Sequence, residues 1–247
     1  MNFFSLLKRS IIYKLKKKIP IDKIDFNNKT LDELFYYYGS DKSNFFRIEN
    51  RKGHGYSKFY TSHLNNLKNK EINILEIGSY AGASAAAFVK YFPNANIFCF
   101  DVNISKFLYK SKKIHVYGVD INNEKKIKKI LSKIFSSNKF NFFDLIIDDG
   151  SHNLSDILYS LNFFFKYLKE SGIFIIEDYK HPNYHHYNRN LEHILVDEFL
   201  KNIRNRKISN SSLINQENQK YLMDKIKEIN VYKGNLSDSD ICFIKKK

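Results

Sequence analysis

Two short acidic motifs hold the residue types from which a metal site can be built. One is Asp148-Asp149-Gly150-Ser151-His152, which follows the apolar run Leu145-Ile146-Ile147. The other is Glu177-Asp178-Tyr179, which follows Ile173-Phe174-Ile175-Ile176. Carboxylates are hard oxygen donors suited to magnesium, manganese or calcium. Both apolar runs read as buried parallel strands, because consecutive apolar residues end abruptly in polar positions. Residues 154–169 between them read as a crossover helix, giving a strand, helix, strand unit. Neighbouring strands lie about 4.8 Å apart, and open α/β sheets bind ligands at the carboxyl ends of their strands. Asp149, Glu177 and Asp178 are therefore expected to converge there, where they would repel one another unless a cation is bound. His152 stands beside them. The plain alternative is that these carboxylates cap loops and the histidine caps a helix.

A second set of residues has the pattern of a nucleotide site. The strand expected over 73–77 leads into Leu75-Glu76-Ile77-Gly78-Ser79-Tyr80-Ala81-Gly82-Ala83-Ser84. Glycines at a strand-to-helix turn let a ligand approach the backbone, and a helix amino terminus favours a negative group. The spacing is Gly-x-x-x-Gly, without the third glycine of the dinucleotide fingerprint. Asp101 ends the next strand, placed to accept hydrogen bonds from ribose hydroxyls, and Asp120 ends the third, within reach of an adenine amine. NAD and S-adenosylmethionine both carry a ribose, so Asp101 does not choose between them. The missing pyrophosphate glycine favours S-adenosylmethionine, whose anionic group is a carboxylate. Strand-end acids also cap helices, so their weight comes from recurring on successive strands.

The elements that must position these residues follow a regular alternation. Strands are expected over 73–77, 96–100 and 114–119, with helices over 84–91, 124–134 and 191–203. Val231-Tyr232 and residues 241–244 form a closing antiparallel pair. This alternation implies a doubly wound, mainly parallel α/β sheet. Residues 31–67 read as mixed helical, and the hydrophilic stretch 205–218 as an exposed loop. Residues 1–25 form a basic amphipathic stretch closed by Pro20, with Phe3, Phe4, Leu7, Ile11 and Leu15 at near-helical spacing. Such a stretch suits an anionic membrane surface, packing on the domain, or self-association. The expected organisation is an extension over 1–30, a helical cap over 31–70 and a catalytic domain over 71–247.

At 247 residues the chain can bury a sizeable core. Its formal net charge of +15 accompanies abundant Lys, Asn, Ile, Phe and Tyr, which AT-rich codons specify. Compositional drift and solvated surface are the expected source of much of the excess, with a membrane-surface patch or a nucleic-acid partner as the alternatives. No RNA-module signature is present, and no nucleic-acid partner is expected. Cys99 and Cys242 sit inside apolar runs and read as core thiols, which suits a reducing cytoplasm. No apolar run approaches the roughly 18 residues of a membrane span. Met1-Asn2-Phe3-Phe4-Ser5 lacks a basic region ahead of its apolar part, so no secretory signal is expected. The expected location is the cytoplasm, with peripheral contact at the inner membrane face through residues 1–20.

Taken together, Leu75-Glu76-Ile77-Gly78, Asp101, Asp148-Asp149-Gly150-Ser151-His152 and Ile176-Glu177-Asp178 resemble the metal-dependent sugar O-methyltransferases of macrolide biosynthesis. That group also holds rhamnosyl O-methyltransferases and proteins labelled cephalosporin hydroxylase. Gly39-Ser40-Asp41-Lys42 and His54-Gly55-Tyr56 are similar to two further motifs of the family. The resemblance spans about residues 38–179 and implies a Rossmann-like, seven-stranded sheet of the class I methyltransferase type. It implies Mg2+ or Mn2+ on Asp149, Glu177 and Asp178, and His152 as general base. It places S-adenosylmethionine against Glu76, Gly78, Ser79, Tyr80, Gly82, Ser84, Asp101 and Asp148, and a saccharide or glycoconjugate as acceptor. The family's large amino-terminal domain, which builds an oligomer, has only the short basic extension as its counterpart here. Residues 180–187, rich in histidine and tyrosine, match no acceptor-pocket sequence of the family. They read as a lid or acceptor-contacting loop, with a transition-metal site as the alternative for His181, His185 and His186. The competing functions are an NAD-linked oxidoreductase and a non-catalytic membrane-associated module.

Overall fold

Continuous apolar runs become the inner strands of one seven-stranded sheet in the computed structural model, which describes residues 3–26, 28–137, 140–189 and 194–247. Its strands are β1 (Ile72–Ile77), β2 (Ala95–Asp101), β3 (Ile114–Gly118), β4 (Phe143–Asp148), β5 (Leu168–Glu177), β6 (Ile226–Lys233) and β7 (Asp240–Lys246). The spatial order is β6-β7-β5-β4-β1-β2-β3. β1 pairs with β2, β2 with β3 and β4 with β5 in parallel. β7 runs antiparallel to β5, and β6 antiparallel to β7. The mainly parallel, doubly wound α/β sheet and its antiparallel closing pair are as expected. By chain contacts the protein divides into two compact units, Met1–Ser132 and Lys133–Lys247.

In the first unit, β1 and β2 bury Ile74, Leu75, Ile97, Cys99 and Phe100 completely. Helix α1 spans Phe3–Leu15, α2 Leu31–Tyr38, α3 Ser57–Leu64, α4 Ala83–Tyr91 and α5 Glu124–Ser137. Ala85, Ala86, Ala87 and Phe88 of α4 are fully buried, small residues that let the helix lie close to the sheet. α1 ends at Leu15, well before the expected stop at Pro20, which instead pairs with Lys110 in a two-residue strand. α1 is tied down at its polar side: Arg9 donates to Val102 O (2.9 Å), and Lys16 to Ser105 O and Lys106 O (3.2 Å each). The mixed helical 31–67 region is two helices around a short hairpin. Thr30 caps α2 with a full capping box to Glu33.

The motifs Gly39-Ser40-Asp41-Lys42 and His54-Gly55-Tyr56 zip together there. His54 N donates to Asp41 O (2.7 Å), Gly55 N to Ser43 O (3.0 Å) and Tyr56 N to Lys42 O (2.8 Å). Tyr56 and Lys42 are buried. The clasp leaves no room at its centre, since a Cβ on Gly53 would lie 2.2 Å from Ser43 O.

The second unit carries α6 (Leu154–Phe164), α7 (His181–Tyr184), α8 (Val196–Arg204) and α9 (Gln216–Lys225) around β4 to β7. The crossover helix is shorter than expected. It ends at Phe164, a 3-10 turn covers Phe165–Tyr167, and β5 starts at Leu168. A bulge over the exposed start of β5 brings Leu145 opposite Ile173. α8 starts later than expected; residues 191–193 of that expectation lie outside the described ones. The stretch 205–218 is better anchored than its composition suggests. Ile214 is fully buried, and Gln219 Nε2 donates to Ser209 O (2.9 Å) and Ile214 O (2.8 Å). Cys99 and Cys242 are buried free thiols, as expected. Among the described residues no helix is long and apolar enough to cross a membrane.

The clasp gives a direct test of the first unit's packing. Gly53→Ala forces a methyl group into backbone oxygen and should destabilise the protein by about 1–3 kcal/mol. Thermal unfolding reads this as a lowered midpoint; an unchanged midpoint would mean that the clasp is loose.

Candidate functional site

The parallel pair β1–β2 positions one group of candidate residues within the first unit. β1 ends at Ile77, and the turn that follows passes through Gly78 (φ +85°), Tyr80 (φ +42°) and Gly82 (φ +77°) before α4 begins. Gly82 is required twice over. Its φ suits glycine, and a Cβ there would lie 2.4 Å from the Phe107 ring. Close approach of a side chain, not only of a ligand, therefore explains this glycine. Glu76 is fully buried and accepts a 2.5 Å hydrogen bond from the Ser84 hydroxyl, tying the strand end to the first turn of α4. Ser79 is buried beneath the turn, while Tyr80 is exposed above it.

Asp101, at the carboxyl end of β2, is oriented by backbone. Its Oδ2 accepts from Tyr80 N (2.7 Å) and its Oδ1 from Asn103 N (2.5 Å). Each carboxylate oxygen can accept a second hydrogen bond, so the group fits a pair of ribose hydroxyls. Asp120 lies beyond β3 and accepts from Asn122 N (3.1 Å), an Asx turn that leaves it half-exposed. His54 lies 3.7 Å from Asp41 and stacks at a tilt on Tyr56, which is fully buried.

The pair β4–β5 positions a second group within the second unit. The register puts Asp148 opposite Ile176, so Asp149 leaves β4 beside the point where Glu177 and Asp178 leave β5. His152 and Asp178 both adopt left-handed backbone, with φ of +55° and +50°. His and Asp are among the residues that tolerate this region best. These two turns aim both side chains back toward Asp149. His152 Nε2 lies 3.7 Å from Asp149 Oδ1 and 3.9 Å from Asp178 Oδ2. One ligand atom from each of Asp149, His152 and Asp178 lies within 4.8 Å of the others. Glu177 stands outside that group, buried at the end of β5 and paired across to Ile241 of β7.

The electrostatics of this corner are unfavourable without a counter-charge. Two carboxylates at such a separation repel by roughly 3–4 kcal/mol at an effective dielectric of 20. Asp148 beside them responds to the same surroundings. Burial pushes its carboxyl up to about 7, and Gly150 N donates to its Oδ1 (3.3 Å). Oxygen donors converging in a partly buried corner fit a hard dication. Asn188, which nothing in the sequence distinguishes, holds the turn from behind. Its buried amide donates to His152 O (3.0 Å), contacts Ser151 O (3.5 Å) and touches His181 Nδ1 (3.2 Å).

The fold and part of the sequence have known counterparts. The chain is 25% identical to mycinamicin VI 2''-O-methyltransferase of Micromonospora griseorubida over 132 residues, 51% of this chain and 31% of that protein. It is 27% identical to L-olivosyl-oleandolide 3-O-methyltransferase of Streptomyces antibioticus over 155 residues, 60% of this chain and 36% of that protein. The chain thus matches about a third of the length of these curated relatives. Among solved structures, the MycE methyltransferase of the mycinamycin pathway, in complex with Mg, SAH and Mycinamycin VI, superposes with a TM-score of 0.68 at 20% identity. That alignment covers 89% of this chain and 55% of the other, and it shows the shared fold. No family model matches the chain.

Asn188→Ala should release the His152 turn. Buried hydrogen bonds to carbonyl groups cost about 1–3 kcal/mol when one partner is removed, so the thermal midpoint should fall. Amide exchange at residues 151–153 should quicken selectively. Unchanged exchange there would show that Asn188 does not hold the turn.

Proposed function

We propose that this protein is an S-adenosylmethionine-dependent O-methyltransferase that uses Mg2+ or Mn2+ to methylate a hydroxyl of a saccharide or glycoconjugate. The observation that carries it is the convergence of Asp149, Asp178 and His152 at the carboxyl ends of two parallel strands. The similarity to sugar O-methyltransferases supports the choice of acceptor class. Asp149 and Asp178 would hold the dication, with Glu177 joining them by a change of rotamer. Asp101 would accept from the ribose hydroxyls, and Asp120 from the adenine amine. The Gly78–Gly82 turn and the amino terminus of α4 would receive the methionine end. Asp148, Glu76, Ser79 and Ser84 would act from beneath, by fixing the strand ends.

A sugar hydroxyl ionises far above neutral pH, so its proton must be removed as the bond forms. A bound dication supplies Lewis acidity that lowers this barrier. His152 takes the proton, and its left-handed turn, pinned by Asn188, keeps the imidazole facing the carboxylates. The acceptor oxygen gains the methyl carbon, the carbon–sulfur bond breaks, and neutral S-adenosylhomocysteine leaves. Alignment of oxygen, methyl and sulfur supplies much of the acceleration.

Calorimetry should find binding of S-adenosylmethionine and S-adenosylhomocysteine, weakened by about 1–3 kcal/mol in Asp101→Ala. Binding of NAD in their place would contradict the cofactor. Transfer of labelled methyl to a panel of saccharides and sugar nucleotides should stop with chelator and return with magnesium or manganese. His152→Ala should lose about 10²–10⁴ in rate, and the loss should shrink at high pH as hydroxide replaces the base. Full activity in chelator, or a fully active His152→Ala, would each remove the role assigned.

We also propose that α1 rests on an anionic membrane surface, at the inner face of the membrane. Phe4 and Leu15 are 74% and 82% exposed, and Leu7, Ile11 and Ile12 are exposed with them. Lys8, Lys14 and Lys17 flank this apolar stripe, and no acidic residue precedes Asp22. Apolar area plus cationic flanks is the composition of interfacial helices. Arg9 and Lys16 fix α1 to the loop that follows Asp101, so this contact would bring the cofactor half close to a membrane-borne glycoconjugate. Vesicles of phosphatidylglycerol should co-float the protein, vesicles of phosphatidylcholine should not, and Leu7→Asp with Ile11→Asp should abolish flotation. Absent flotation together with a concentration-dependent oligomer lost in the same variant would assign α1 to self-association instead.

A further inference from the structure

A second cluster of metal-ligating side chains lies in the same unit and plays no part in the chemistry above. His181 opens α7 and His185 follows it by one helical turn, with His185 N bonded to His181 O (2.9 Å). Residues spaced in this way share a helix face, and the two rings stand 4.2 Å apart between centroids. Asp238 approaches them from the turn between β6 and β7. Its Oδ2 lies 3.5 Å from His185 Nε2, and one ligand atom from each of the three residues lies within 4.8 Å of the others.

We propose that His181, His185 and Asp238 form a binding site for a d-block dication, with zinc as the reference case. Imidazole nitrogen selects zinc and its neighbours over magnesium. Zinc bonds to nitrogen and oxygen are about 2.1 Å long, which sets ligand atoms at tetrahedral angles about 3.4 Å apart, close to the His185–Asp238 separation. An ion pair of His185 with Asp238 would not need a second imidazole on the same turn, and two protonated rings at this distance would repel. All three residues are half-buried, so an ion can enter from solvent.

The two segments that bring the ligands are clamped together independently of them. Buried Asp240, at the start of β7, accepts from Tyr184 OH of α7 (2.7 Å) and from Lys233 Nζ of β6 (2.7 Å). Lys233 Nζ also reaches Tyr184 OH (2.9 Å) and Ser237 O (2.5 Å), next to Asp238. Arg189 caps the far side of α7 through Pro182 O (2.5 Å) and Asn183 O (3.1 Å). Asn188 Nδ2 stands 3.2 Å from His181 Nδ1 and so fixes the position of that ring. Three protein ligands leave one position for an external oxygen. His181 also contacts the His152 ring, at 5.4 Å between centroids. The site therefore adjoins the carboxylate cluster, and the external oxygen would belong to the acceptor or to water.

Cobalt(II) added to the full chelator-treated chain is the test, because four-coordinate cobalt absorbs visible light far more strongly than six-coordinate cobalt. The expected result is a strong visible band that zinc displaces. It should be lost in His185→Gln and in Asp238→Asn, with affinity falling by about 100-fold or more, since even outer contacts are worth about 10–100-fold. The band should persist in Asp149→Asn and in His186→Ala, whose exposed ring stands outside the cluster. Far-ultraviolet circular dichroism confirms that each variant is folded. No strong band, a band that survives His185→Gln, or a band that vanishes with Asp149→Asn would overturn the proposal.

Discussion

Like charges gathered away from bulk water are the constraint on which the second unit depends. Asp149 and Asp178 offer oxygens within 4.8 Å of each other and of a His152 nitrogen, and Asp148 and Glu177 are buried beside them. The repulsion of one such pair, roughly 3–4 kcal/mol, exceeds what burial of a single core isoleucine returns, about 1.5–3 kcal/mol. Left-handed backbone at His152 and Asp178 adds strain of order 1–3 kcal/mol each. A fold that spends this much stability in one corner holds the corner by other means. Here these are the β4–β5–β7 pairing and the Asn188 amide. A cation that met the three groups together would relieve the repulsion directly, which is why charge, and not shape, is the sharper clue to this cluster.

The first unit solves a different problem, that of holding a tight turn open. Phe107 fills the space behind Gly82, Ser84 anchors Glu76, and Asp101 takes the Tyr80 and Asn103 amides. The Asp41–Tyr56 clasp is equally internal, built from backbone hydrogen bonds. Several residues that look like ligand contacts by motif are thus supports in the structure. Asp101 keeps acceptor capacity beyond the two backbone amides that orient it.

Sequence pattern gave the sheet away because buried parallel strands are unbroken apolar runs, as in Leu145-Ile146-Ile147 and Ile173-Phe174-Ile175-Ile176. Their ends carried the acids, so Asp149 and Asp178 were legible together. Helix ends were less so. Residues 165–169 continue an apolar pattern that suits a helix, yet the bulge opposite Asp144 starts β5 at Leu168. The hydrophilic stretch 205–218 hid Ile214 and the start of α9, although Asn215 is a good amino-terminal cap. Asn188, Asp238 and the left-handed turns at His152 and Asp178 depend on contacts between distant segments, which no local pattern encodes.

Titration of Mg2+ into the chelator-treated chain by calorimetry, with S-adenosylhomocysteine present, tests most directly whether the carboxylate cluster is a cation site. Binding at a single site that disappears in Asp178→Asn is the predicted result, because one of the two aligned oxygen donors is then neutral. Magnesium binding of equal strength in Asp178→Asn and the unaltered protein would contradict the account.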